Sequence, residues 1–191
     1  VYKRQILTTN RVPVVNHHDP EKPGDINRVL FRDEGPYWAN LVGLPDDHFA
    51  TVYKGTIAIP SDGDYTFGVH SDDGFALRIR GGTFTSVNGL GTIDLSDPST
   101  LYYPNGTGNS NTRGVMPLTA GTYPLEFLTW NGVGGAYHEL YAAPGAHAGD
   151  GPQFDLIGAS PPGVVEVPGL LGTNVWEVWM TNPAAHGTIG N

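Results

Sequence analysis

Two alternating runs around a tight acidic turn constrain the fold of this chain more than any other feature. Residues 64–70 and 75–80 each place a large apolar side chain at every second position, and a period of two predicts half-buried strands. Between the runs, Ser71-Asp72-Asp73-Gly74 puts two adjacent carboxylates at the tip. Because neighbouring strand residues point to opposite faces, both acids can converge on one point only where the backbone between them is unusual. We expect this tip to be the functional end of the molecule.

The rest of the chain is also typical of an all-β protein. Its 191 residues include 27 Gly and 16 Pro, a composition that favours many short strands joined by turns over long helices. Residues 49–59 and 122–130 alternate in the same way, and the second run leads into a glycine-rich loop at 131–135. We therefore predict an antiparallel β-sandwich or barrel-like fold.

Composition and motifs argue against several classes of function. The net charge is −9 and the 10 Lys and Arg residues are scattered, whereas a nucleic-acid-binding protein is expected to show a basic face. The absence of cysteine excludes disulfides, thiolate zinc sites and cysteine nucleophiles. No apolar run approaches the roughly 18 residues of a membrane span. We expect no enzyme, because no spacing points to a glycosidase carboxylate pair, and no nucleophile elbow or phosphate-binding loop occurs.

Turn-rich composition after about residue 143 predicts a domain boundary. We expect residues 1–150 to form one domain, and residues 151–191 to be a linker with a terminal strand at 175–180. That strand either completes a sheet of the domain or leads to a next domain. Because the chain does not begin with Met and shows no signal peptide, we expect a mature or excised segment.

Three polar stretches allow more than one interpretation. His17-His18 lies among prolines, which favours a solvated loop over a metal site. Asp46-Asp47 follows Pro45 without flanking strands, which favours a solvated turn or a helix start. Residues 88–112 are rich in Gly, Asn, Ser and Thr and form either a wall of the binding site or a mobile surface loop.

The acidic tip and the later glycine-rich loop together offer the ligands of a calcium ion. Calcium takes six to eight oxygen ligands from carboxylates, amides, backbone carbonyls and water. Asp72 and Asp73 supply carboxylates, and Asn131 supplies an amide oxygen. The glycines after Asn131 let backbone carbonyls turn inward at little steric cost. An Asp-Asp-Gly sequence is also ordinary turn chemistry, so the residues alone leave both interpretations open.

An ordered series of motifs resembles the PA-fourteen (PA14) domain family, named for the protective antigen of anthrax toxin. The resemblance covers roughly residues 28–145. It rests on Tyr53-Lys54-Gly55-Thr56-Ile57-Ala58-Ile59-Pro60, Gly63-Asp64-Tyr65-Thr66-Phe67, Ser71-Asp72-Asp73-Gly74, Leu77, Ile79, Leu118-Thr119-Ala120-Gly121-Thr122-Tyr123-Pro124-Leu125 and Gly134-Gly135-Ala136-Tyr137-His138-Glu139-Leu140. It implies a jelly-roll-type β-sandwich with long loops at one end, of the kind found in adhesins, glycosidases and toxins.

The lectin branch of that family implies a specific site. There, two consecutive aspartates joined by a cis peptide hold a calcium ion that binds sugar hydroxyls directly. Asp72 and Asp73 fall on that pair, and Asn131 fits the asparagine that the branch adds. Val133 and Gly135 are our candidates for the backbone carbonyl ligands. For sugar contact we add three side chains near the two loops: His70, Trp130 and Tyr137.

The resemblance therefore implies a calcium-dependent carbohydrate-binding module. Its ligand is expected to be a mono- or oligosaccharide with vicinal hydroxyls, bound for adhesion to glycans. We expect an extracellular or cell-surface location, a bacterial source and a place in a larger multidomain protein. The alternatives are a non-catalytic structural or protein-interaction module, and an accessory module of a larger glycoside hydrolase.

Overall fold

A computed structural model describes residues 6–12, 14–19, 30–31, 35–36, 47–158 and 176–181. Within those ranges the chain forms strands and no helix. The strands are β1 (Ile6–Val12), β2 (Asn16–His18), β3 (Gly35–Pro36), β4 (Phe49–Ile59), β5 (Gly63–Asp72), β6 (Phe75–Ile79), β7 (Ser86–Gly89), β8 (Thr92–Ile93), β9 (Thr100–Tyr103), β10 (Thr112–Leu118), β11 (Gly121–Asn131), β12 (Tyr137–Pro144), β13 (Asp155–Leu156) and β14 (Trp176–Thr181).

The strands make two sheets that pack face to face. The first sheet has the order β1-β14-β4-β11-β6-β9-β8. The second has the order β3-β2-β12-β5-β10-β7, and β13 pairs with β12 beside β2. Neighbouring strands are antiparallel, apart from the parallel pair β2 and β3. The predicted all-β antiparallel sandwich is confirmed.

The core lies between the sheets and follows the alternation in the sequence. In β4, alternate side chains are buried as the period of two predicts. Opposite them in the second sheet, Phe67 and Val69 of β5 are fully buried, and so is Phe127 of β11 in the first sheet. Burying a side chain of this size stabilises a fold by about 1.5–3 kcal/mol. This apolar layer holds the strand ends, and therefore the loops between them, at a fixed separation.

The expectation of a solvated loop at His17-His18 is wrong for His17. Residues 16–18 form β2, in which His17 pairs with His138 of β12. The His17 ring is buried and stacks on Tyr53, with ring centroids 6.1 Å apart. Tyr53 in turn shares a short hydrogen bond with Nε2 of His138. Pairing to β12 supplies backbone partners that the neighbouring prolines gave no reason to expect.

The terminal strand β14 lies inside the first sheet, between β1 and β4. Its residues pair with both neighbours in antiparallel register. The strand predicted at 175–180 therefore exists and joins a sheet of the sandwich. The division of the chain at residue 150 stays a prediction, and residues 159–175 lie outside the described part.

Candidate functional site

Three connections that cross from one sheet to the other meet at one rim of the sandwich. The first leads from β5 to β6 through Asp73-Gly74, the second from β9 to β10 through residues 104–111, and the third from β11 to β12 through residues 132–136. We call these the acidic crossover, the wall loop and the glycine crossover. Hydrogen bonds join all three, so the rim is one connected structure.

Asp73 is the residue that joins them. Its peptide bond to Asp72 is cis. Its carboxylate accepts two backbone N–H groups, from Thr107 of the wall loop to Oδ1 at 2.8 Å and from Gly132 of the glycine crossover to Oδ2 at 2.7 Å. Its own N–H donates to the carbonyl of Trp130 at 3.1 Å. A carboxylate that accepts backbone N–H groups is held in one orientation by charge-assisted bonds.

Two serines support the acidic crossover from below. The Ser71 hydroxyl donates to the Asp73 carbonyl at 2.9 Å, and the Ser110 N–H donates to the Ser71 carbonyl at 2.8 Å. The two hydroxyls also share a short hydrogen bond, and both side chains are fully buried. Residues 104–111 are thus tied to the acidic tip, a placement that agrees with the predicted wall. The rest of the stretch 88–112 is largely strand, in β7, β8, β9 and the start of β10, rather than one long loop.

The glycine crossover begins at Asn131, the last residue of β11. Asn131 is only 1 % exposed and lies next to the Gly132 amide that Asp73 binds. Val133 is 67 % exposed at the outer edge of the crossover. Gly134 has a φ of +94°, a left-handed conformation that favours glycine. The structure therefore brings the predicted acidic pair and the predicted asparagine loop together.

Asp47 also belongs to this rim, although the sequence predicted only a solvated turn or helix start there. Its Oδ1 accepts the Gly134 N–H at 2.9 Å, and the N–H of His48 donates to the Gly132 carbonyl at 2.6 Å. The reason is the register of β4 against β11, which pairs Phe49 with Asn131 and so brings the preceding residues to the glycine crossover. The helix start is wrong, because β4 begins at Phe49. Asp47 does lie in a half-exposed bend, as the turn interpretation predicts, but its carboxylate is bound to the glycine crossover.

Trp130 packs against the backbone of two of the loops. A Cβ atom added to Gly74 would lie 2.5 Å from the Tyr103 carbonyl oxygen and closer still to the Trp130 indole nitrogen. A Cβ atom added to Gly106 would lie 3.8 Å from the same indole ring. The absence of a side chain at Gly74 is therefore what lets the indole pack against the acidic crossover, whereas Gly106 is at ordinary contact distance from it.

Tyr137 and His70 lie on the outer face of the second sheet, Tyr137 opposite Asp72 and His70 two residues before it. Tyr137 pairs with Asp72, is fully buried, and donates its hydroxyl to the Gly108 carbonyl at 3.2 Å. It therefore supports the wall loop. His70 is 5 % exposed and lies between two carboxylates, with Glu139 on one side and Asp150 on the other, each at 3.4 Å.

His70 belongs to a polar network that fastens the segment after β12 to the second sheet. Asp150 accepts hydrogen bonds from Arg113 at 2.7 Å, from the Tyr141 hydroxyl at 2.9 Å and from Asn111 at 3.0 Å. Burial alone would raise the pKa of Asp150, but the adjacent His70 ring and the hydrogen bonds from Asn111 and Tyr141 hold that pKa well below its usual range. Nothing in the sequence order indicates this cluster, because its members are distant in the chain.

Glu139 is the buried carboxyl group of the same network. Burial raises its pKa, and two backbone N–H groups, from Leu30 at 2.8 Å and Phe31 at 2.6 Å, partly offset this effect. The carboxylate therefore holds residues 30–31 over the outer face of the sheet. These contacts give Glu139 a structural role.

The donors at the rim suit calcium in their chemistry. The described residues contain no group of three or more His, Cys, Asp or Glu side chains placed to hold a metal. The predicted set of calcium ligands does not need such a group, because it combines the carboxylates of Asp72 and Asp73 with the Asn131 amide and two backbone carbonyls. All of these are oxygen donors, and calcium accepts such mixed sets. The residues present fit the ion.

The fold and the rim define an all-β module whose working loops cluster at one end of a sandwich. The PA14 domain family model matches residues 42–141, which is 100 of the 191 residues. The chain belongs to the PA14 domain family, and the resemblance of its motifs is confirmed. This family is a carbohydrate-binding or adhesion type of module. Comparisons with curated proteins and with solved structures gave no significant match.

The matched range contains the acidic crossover, the wall loop and the glycine crossover entire. It begins before β4 and ends within β12. In the described part of the chain, no helix is long and apolar enough to cross a membrane.

Proposed function

We propose that this chain is a calcium-dependent carbohydrate-binding module that serves adhesion to glycans. The observation that carries the proposal is the bond between the Gly132 N–H and the Asp73 carboxylate at 2.7 Å. It joins the two loops on which the predicted ligands lie, although they are 59 residues apart in the chain. Membership of the PA14 family supports the same class of ligand.

Five residues would hold the ion: Asp72, Asp73, Asn131, Val133 and Gly135, the last two through backbone carbonyls. Each Asp73 oxygen already accepts one N–H group, and a carboxylate oxygen has a second lone pair that remains available. When bound, calcium supplies coordination positions that vicinal sugar hydroxyls can fill in place of water. The Asp72 and Asp73 carboxylates then accept hydrogen bonds from the same hydroxyls.

Burial separates the three predicted aromatic sugar contacts. His70 and Tyr137 are buried and engaged with Glu139 and the wall loop, so we assign them a supporting role. Trp130 is half-buried beside Gly74 and Gly106, and it stays a candidate for contact with the sugar. Val133, predicted only as a carbonyl ligand, has a side chain that is 67 % exposed at the same loop, and we add it as an apolar contact with the sugar ring.

We further propose that the module is non-catalytic. Glu126 and Glu139 lie far apart, since Glu126 pairs with Arg80 outside the first sheet and Glu139 lies outside the second. A glycosidase needs two carboxyl groups across one bond. We propose an extracellular or cell-surface location in a larger protein, because extracellular modules use calcium at submillimolar to millimolar levels.

Calcium and sugar binding to matched variants test this function. The wild-type protein is expected to bind calcium by calorimetry and to bind diol-bearing sugars on an array, with the sugar signal lost in a chelator. Asp72→Ala should weaken calcium binding at least about tenfold, since a charged ligand is lost. Asp64→Ala is the control, because Asp64 is exposed at the opposite end of β5.

Calcium binding without any sugar response would contradict the carbohydrate function and favour a structural or protein-interaction module. Equal calcium affinities for wild type and Asp72→Ala would remove the acidic pair from the site. Hydrolysis of a chromogenic glycoside, lost on replacing one glutamate, would contradict the non-catalytic assignment.

A further inference from the structure

The segment before β4 touches the glycine crossover at two points. Asp47 accepts the Gly134 N–H at 2.9 Å, and the His48 N–H donates to the Gly132 carbonyl at 2.6 Å. From the other side, Asp73 accepts the Gly132 N–H at 2.7 Å. The crossover is therefore held between two aspartates that come from separate parts of the chain.

These bonds use the polar groups of alternate residues. The N–H and carbonyl of Gly132 and the N–H of Gly134 are all engaged. The proposed carbonyl ligands belong to Val133 and Gly135, the residues in between. Fixing residues 132 and 134 thus defines the backbone on which both ligands lie.

A glycine-rich loop needs such restraint more than other loops do. Glycine has the widest choice of backbone conformations, so it loses the most freedom when it is ordered. Residues 132, 134 and 135 are all glycine. A loop that is already ordered before the ligand arrives binds more tightly, because it loses less conformational entropy when the ligand binds. An acceptor aimed at Gly134 reduces that cost.

We propose that Asp47 is a positioning residue for the ligand-binding loop. It acts through the hydrogen bond to Gly134 and does not touch the sugar. This inference rests on the proposed function, whose carbonyl ligands lie in the same loop. Asp47 is not one of the predicted ligands, and it lies 87 residues before Gly134 in the sequence.

Three variants separate the hydrogen bond from the charge and from general stability. Asp47→Ala removes the acceptor, whereas Asp47→Asn removes the charge and keeps a carbonyl oxygen that can accept the Gly134 N–H. Asp62→Ala is the matched control, because Asp62 accepts the Ala120 N–H at 2.8 Å in a turn beside the start of β5. Asp62 thus makes the same kind of bond at the end of β5 away from the acidic tip.

Two readouts are measured on each variant. The first is amide exchange of Gly134 by NMR without calcium, and the second is the calcium dissociation constant by calorimetry. Asp47→Ala is expected to speed Gly134 exchange at least about tenfold and to weaken calcium binding about tenfold, the usual effect of losing an outer-shell partner. Asp47→Asn should keep both values close to wild type. Asp62→Ala should speed exchange at Ala120 alone.

The inference is overturned if Gly134 exchange is the same in Asp47→Ala and wild type. It is also overturned if Asp47→Asn loses as much calcium affinity as Asp47→Ala, since charge rather than the hydrogen bond would then be responsible. If the wild type takes up no calcium, the proposed function fails. Gly134 exchange still decides whether Asp47 orders the loop, so the two failures are distinguishable.

Discussion

Replacing Asp150 with alanine removes the centre of the polar network outside the second sheet. The carboxylate accepts hydrogen bonds from Arg113, Tyr141 and Asn111 and faces His70 at 3.4 Å. Arg113 is 8 % exposed, so its charge stays largely buried when the carboxylate is gone. The variant therefore leaves a buried cation without its counter-charge, and not merely one hydrogen bond fewer.

The size of the destabilisation depends on the hydrogen bonds that Arg113 keeps in the variant. Removing one member of a buried ion pair destabilises a protein by about 3–5 kcal/mol. Arg113 retains acceptors at Asn111 (2.6 Å), Asn88 (3.1 Å) and the Ala148 carbonyl (3.2 Å), and Asp150 itself is partly exposed. Both facts place the expected loss at the lower end, about 3 kcal/mol. For a chain of this length, that lowers the melting temperature by roughly 6–12 °C.

Urea titration and calorimetry measure this loss. Asp155→Ala is the control in the same segment, because the Asp155 carboxylate bonds only the N–H of the next residue among the described groups, and we expect it to stay within about 0.5 kcal/mol of wild type. Arg113→Met on its own and combined with Asp150→Ala completes a double-mutant cycle, with an expected coupling of roughly 1–3 kcal/mol. A loss below about 1 kcal/mol for Asp150→Ala, or a coupling near zero, would refute the network as a fastening of this segment.

Two further predictions concern the rim and the core. Gly74→Ala should destabilise the fold by about 1–3 kcal/mol and weaken calcium binding, because its Cβ would lie 2.5 Å from the Tyr103 carbonyl and closer still to the Trp130 indole. If calorimetry shows an unchanged unfolding free energy and an unchanged calcium affinity, the close packing at Gly74 is contradicted. Burial, and then the neighbouring His17, lower the pKa of His138, so the unfolded state takes up its proton first and stability falls as the pH drops below about 6.5. Urea midpoints between pH 7.5 and 5 should show a loss of up to about 2 kcal/mol that His138→Gln lacks, and an equal loss in both proteins would exclude His138 as its source.

Local alternation predicted the strands that carry the site. The runs at 64–70 and 75–80 became β5 and β6 with the acidic pair between them, because half-buried strands impose a period of two on any sequence that forms them. The family resemblance pointed to the loop that begins at Asn131, and the structure places Gly132 of that loop against Asp73. Both predictions needed only short stretches of sequence.

The missed residues depend on contacts between distant strands. Asp47 meets the glycine crossover because β4 and β11 pair with Phe49 opposite Asn131, a register that neither alternating run indicates by itself. No pattern in the sequence indicated that His17 and His70 are buried. A polar side chain becomes buried only where partners compensate it, and those of His70 are Glu139 and Asp150, far along the chain.

Each of the three rim connections joins a strand of the first sheet to a strand of the second. The distances among Asp73, the wall loop and the glycine crossover therefore depend on how the two sheets are aligned. A slip of one sheet along the other by a single residue would move one end of each connection by about 3.3 Å and would break the two hydrogen bonds that the Asp73 carboxylate accepts, from Thr107 at 2.8 Å and Gly132 at 2.7 Å. The ligand site and the apolar layer are therefore mechanically coupled. A substitution that loosens the core is therefore expected to shift the three loops relative to one another, even where it lies far from the rim.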